Sequence, residues 1–102
     1  MFGYNIIKGE LYDLCTKEIV EASRKQPINS LEFRIKIQIF ECIQRMKFSD
    51  TLLEKMLNKA RSGKLIEIIY NDYMKKGYEL IKVNYKKLKI CVDFYNFLDD
   101  IE

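Results

Sequence analysis

The strongest constraint on how this chain folds is the run at residues 33–40, Phe-Arg-Ile-Lys-Ile-Gln-Ile-Phe, with its echo at residues 88–95, Leu-Lys-Ile-Cys-Val-Asp-Phe-Tyr. Apolar residues alternate with polar or small ones in both, the period of a strand with one face on a core and the other toward water. The first run also carries a helical period, since Leu31, Ile35, Ile39, Ile43 and Met46 form a stripe behind Ser30, a good N-cap. Its β-branched content favours the strand.

The flanking segments read more simply. Phe2, Tyr4 and Ile6 alternate and suggest a short edge strand. After Gly9, Leu11, Leu14, Cys15, Ile19 and Ala22 recur at helical spacing, with Glu10 and Asp13 in the first turn and Arg24 and Lys25 in the last. This predicts an amphipathic helix ending near Lys25. Residues 26–30 hold the single proline, Pro27, with Asn29 and Ser30, which is turn chemistry.

A second helix is expected from about Thr51 to Arg61. Thr51 and Glu54 are spaced as a capping box, and Phe48 and Leu53 as a hydrophobic staple if Ser49 is the cap. Leu52, Leu53, Met56, Leu57 and Ala60 form its apolar face, and Ser62 and Gly63 end it. Residues 65–74 are apolar on several sides and suggest a deeply buried helix closed by Lys75, Lys76 and Gly77. Alternation returns at Tyr78, Leu80 and Val83 and again from Leu88, which reads as a hairpin bending near Asn84.

Setting Gly9 on Gly63 aligns Leu11 with Leu65, Leu14 with Ile68 and Glu18 with Asp72. With one extra residue in the second turn, Phe33 then meets Leu88 and Ile35 meets Ile90. The fold class that follows is α+β, a single domain with two similar helix-strand motifs over residues 8–46 and 62–101, linked by a helix around 51–61. An all-α fold is the alternative. Two like motifs packed about a pseudo-twofold axis leave a groove where they meet, and grooves of this kind bind ligands.

Chain length and chemistry narrow the function. A chain of 102 residues with 48% hydrophobic and 32% charged residues is one domain's worth of foldable sequence. Histidine is absent, which removes the commonest general base and metal ligand and excludes Cys-His and Ser-His-Asp mechanisms. The glycines are scattered, so no phosphate-cradling loop or dinucleotide fingerprint exists. Cys15, Cys42 and Cys91 lie among apolar neighbours at irregular spacing and read as small buried hydrophobes. No enzyme, cofactor or metal is expected, and the acidic tail Asp93, Asp99, Asp100 and Glu102 reads as solvated. Without a signal peptide or a run of about 18 apolar residues, a cytoplasmic, non-membrane protein is expected.

Two binding modes remain. A protein or peptide partner would seat in the groove between the motifs, on Phe33, Ile35, Ile37, Tyr85, Leu88 and Ile90. Single-stranded nucleic acid would instead use the interleaved Lys75, Lys76, Tyr78, Lys82, Tyr85, Lys86 and Lys87, cations for phosphate and aromatic rings for bases. The basic stretch from Lys55 to Lys89 suits the second mode or simply solvates a surface. Monomer and homodimer stay open.

The short length, the lack of histidine, the Ile, Lys and Tyr content and the Gly9/Gly63 and Phe33/Leu88 registers together resemble the small orphan proteins of filamentous viruses of hyperthermophilic archaea, of the Acidianus filamentous virus type. The resemblance implies two like motifs, no assigned enzymatic activity, a role in protein contacts and a location in the host cytoplasm. It carries no functional residue across.

Overall fold

Four helices account for the architecture of the described residues. The computed structural model describes residues 2–45 and 47–75. In chain order these form α1 (Phe2–Lys25), α2 (Leu31–Arg45), α3 (Asp50–Ala60) and α4 (Leu65–Lys75). No strand occurs among the described residues, so the expected α+β class gives way to an all-α fold. The hairpin expected after Tyr78 lies outside the described residues, as does the second copy of the proposed repeat beyond Lys75.

α1 is the long element against which the others pack. It contacts all three other helices, while α2 and α3 each also meet α4. Leu11, Cys15 and Ile19 make its buried stripe. The stripe continues toward the N-terminus through the partly buried Ile7, and the edge strand expected at Phe2, Tyr4 and Ile6 is part of the same helix. Ile6 itself is 70% exposed. No helix of the described residues is long and apolar enough to cross a membrane.

The turn at residues 26–30 forms as its composition predicts. The Gln26 N–H donates to the Ala22 carbonyl and the Ser30 N–H to the Pro27 carbonyl. Ser30 then caps α2, its Oγ accepting from the Phe33 N–H at 3.1 Å. The strand expected at residues 33–39 is therefore the body of a helix.

Its neighbours explain why the alternation misled. Positions i and i+2 lie about 200° apart around a helix, so alternating apolar residues point to nearly opposite sides. That suits a helix with partners on two sides, and α2 packs between α1 and α4. Phe33, Ile35, Ile39 and Ile43 are buried, Ile37, Phe40 and Cys42 pack partly against them, and Lys36 is buried among them. Tertiary packing decided between two periods that the local sequence left balanced.

α3 begins at Ser49, whose Oγ accepts from the Leu52 N–H at 3.2 Å. Ser49 is thus the cap, Thr51 lies inside the helix, and Phe48 and Leu53 are both buried in the staple arrangement. Gly63 ends the segment with φ at +77° and donates to the Ala60 carbonyl at 2.8 Å. This separates it from Gly9, its partner in the repeat register, which lies within α1. The two glycines respond differently to a side chain. Nothing lies within 4 Å of a Cβ at either position, so backbone preference alone decides.

Gly9→Ala should raise unfolding free energy by about 0.5–1 kcal/mol, and Gly63→Ala should lower it by about 1–2 kcal/mol. Urea denaturation of the two variants gives both signs in one experiment. Ile39→Ala, at a fully buried position, should cost about 2–5 kcal/mol in the same assay.

Candidate functional site

Three charged residues of α1 reach the ends of the other three helices. Helix ends carry backbone donors and acceptors with no partner inside their own helix, and such groups must be satisfied when they are covered. The Lys8 ammonium donates to the Ile43 carbonyl at 2.8 Å, near the C-terminus of α2, and sits 4.4 Å from the centre of the Phe48 ring. A cation there also complements the negative end of the helix dipole. Glu10 receives Arg61 at the end of α3 through two contacts of 3.2 and 3.4 Å. This pair is exposed and contributes under about 1 kcal/mol.

Glu18 makes the tightest of the three connections. Its Oε1 accepts from the Ile66 N–H at 2.9 Å and its Oε2 from the Glu67 N–H at 2.7 Å. A carboxylate from α1 thus does for the first turn of α4 what an N-cap side chain does within one helix. Burial pushes the Glu18 carboxyl above its ordinary range, more than the two hydrogen bonds and the nearby Lys36 pull it down. Cys15, between Lys8 and Glu18 on the same helix, is fully buried and its thiol is pushed up to about 12, chiefly by burial. At neutral pH it is an inert thiol. Cys15 and Cys42 are both unbridged, and Cys91 lies outside the described residues.

Beside Glu18 a cleft of about 140 Å³ opens between α1, α2 and the start of α4. Charged residues dominate its wall: Glu18, Glu21 and Lys25 from α1, Lys36 from α2, and Lys64 and Glu67 from the α4 end, with Ala22, Gln26 and Gly63 completing it. Lys36 is unusual among them. Its side chain is only 10% exposed, its Nζ is 3.8 Å from the Glu32 carboxylate, and the Tyr70 ring centre is 5.4 Å away. Burial and the neighbouring Glu32 carboxylate together raise the Tyr70 hydroxyl above its usual range.

Among the residues expected to bind a partner, Phe33 and Ile35 belong to the core, at 5% and 0% exposure, and Ile37 is half-buried beside them. Tyr85, Leu88 and Ile90 lie outside the described residues, and none of the three described residues lines the cleft beside Glu18. Of the nucleic-acid set, Lys75 is exposed at the last residue of α4. Lys76, Tyr78, Lys82, Tyr85, Lys86 and Lys87 lie outside the described residues. Among the described residues no group of three or more His, Cys, Asp or Glu is placed to hold a metal ion.

The charges that organise the site were not singled out by periodicity. A signal existed: Glu18 sits midway between Leu14 and Ala22 at helical spacing, and Lys36 stands one turn before Ile39 and Phe40. A charged residue inside an apolar stripe needs a partner. Compared with known proteins, the chain matches no family model, no curated protein and no solved structure.

The Glu18 carboxyl makes stability depend on pH in a definite direction. A carboxyl raised in the folded state contributes most below its unfolded-state value of about 4.3, and that contribution is lost as pH rises through the folded value. Measured against Glu18→Gln, the wild-type protein should therefore gain stability as pH falls from 7 toward 4. Glu18→Ala, which strips both amide acceptors, should cost about 1–3 kcal/mol at neutral pH.

Proposed function

We propose that this chain is a non-enzymatic interaction module that binds a protein partner at the corner between α1 and α2. The observation that carries this reading is a pair of outward apolar side chains in that corner, Ile28 at 72% exposure and Leu31 at 42%. Leu31 opens α2, and Ile28 is two residues beyond Gln26, which lines the charged cleft. An apolar pair bordered by a polar, partly enclosed wall has the make-up of a small recognition site. The remaining chemistry supports the same reading. Glu18, Lys8 and Glu10 are engaged at helix ends, and the Cys15 thiol is buried and protonated. The resemblance to orphan viral proteins points to protein contacts as well.

Replacing both residues, Ile28→Asp with Leu31→Asp, should change stability by under about 0.5 kcal/mol because both positions face water. The same variant should abolish crosslinking to the partner from a photoreactive group at the neighbouring exposed position 29 in a lysate of the native cell. Unchanged crosslinking would overturn the proposal. Binding of a single-stranded oligonucleotide with a steep salt dependence, without a protein crosslink, would favour the nucleic-acid mode instead.

A further inference from the structure

Resting on the interaction reading above, we infer that the cleft beside Glu18 receives an acidic side chain from the partner, held between Lys36 and Lys64, while a neighbouring apolar residue covers Ile28 and Leu31. Charge pairing within the cleft points to the class of ligand. Both Glu18 oxygens are taken by backbone N–H groups of α4. Glu21 is paired with Arg24 at 3.7 Å and Lys25 at 3.6 Å. At the α4 N-terminus Glu18 already occupies the Ile66 and Glu67 N–H groups.

The two remaining lysines are differently placed. Lys36 is buried, yet its carboxylate neighbour Glu32 stands at 3.8 Å, longer than a hydrogen bond. Lys64 is exposed and makes no ion pair among the described residues. A buried ammonium is stabilised most by a close, charge-assisted hydrogen bond of about 2.8 Å, which an incoming carboxylate can supply and Glu32 does not.

Other ligand classes fit less well. A phosphate would bring close to two negative charges beside Glu18, Glu21 and Glu67, where like charges repel. A basic group would meet the two lysines. A neutral one would leave Lys36 without a close acceptor. The volume of about 140 Å³ admits one side chain and is below the roughly 300 Å³ of sites that enclose whole small molecules. An extended segment advances about 3.3 Å per residue, so a few residues reach from cleft to corner.

The test is selection of a random linear peptide library, displayed on phage, against the immobilised full chain, followed by fluorescence anisotropy with a synthetic peptide of the enriched sequence. Enriched peptides should carry Asp or Glu within about three residues of an apolar side chain. Replacing that acid by its amide, or making Lys64→Glu or Lys36→Met in the protein, should weaken binding about tenfold, the worth of one charge-assisted hydrogen bond. Circular dichroism confirms that the Lys36 variant remains folded, and Lys64→Glu, at an exposed site, carries the test if it does not. Peptides that bind through Ile28 and Leu31 but show no acidic preference and ignore Lys64→Glu would overturn this inference and leave the interaction reading standing. Binding that needs a free peptide C-terminus would overturn it equally. Failure to enrich any peptide sensitive to Ile28→Asp with Leu31→Asp would overturn both.

Discussion

The hydrogen bonds from Ile66 and Glu67 to Glu18 are the interaction on which the arrangement of helices most depends. Short helices expose a large share of their backbone at unsatisfied ends, and packing them together removes the water that would serve those groups. α1 resolves the conflict from outside each helix, with Lys8 at the end of α2, Glu10 at Arg61 after α3 and Glu18 at the start of α4. Each contact fixes where another helix begins or stops along α1. Apolar packing alone is non-directional and would tolerate a slide of one helix along another.

That solution has an electrostatic cost. Carrying Glu18 into the α1–α4 junction raises its pKa despite two amide donors, and Lys36 lies close enough on α2 to offset part of the penalty. Lys36 is itself desolvated, between Glu32 and the face of Tyr70. The junction is thus held by charges in partial balance, and the cleft is where that balance meets solvent. Next to it the turn at residues 26–30 and the first residue of α2 place Ile28 and Leu31 outward. Structural necessity and surface chemistry meet at one corner of the molecule, which is why the recognition site is proposed there.

Much of the local structure was legible in the sequence. The stripe through Leu11, Cys15 and Ile19, the turn around Pro27, the stop at Gly63 and the helix over residues 65–74 rest on caps and spacings that act within a turn of chain. The extension of α1 back to Phe2 and the class of residues 33–39 were not legible. At the first, an alternation of only three residues, Phe2, Tyr4 and Ile6, is too short to weigh against the helical period that follows it. At the second, an apolar alternation suits a half-buried strand and a two-sided helix alike. The candidate site was less legible still, since Phe33 and Ile35 look like a sheet face only while α4 is missing from view.

The sequence by itself determined the positions of the turn and of three chain-local caps and stops, because that chemistry is local: Ser30 and Ser49 accept their amides within three residues, and Gly63 takes a positive φ. It also determined which residues are apolar enough to form a core. Only the tertiary structure decided that residues 31–45 are helical and that Glu18 spans 48 positions to cap α4. Both outcomes depend on neighbours distant in the chain. A helix becomes two-sided, and a charge becomes a cap, only once another helix lies beside it.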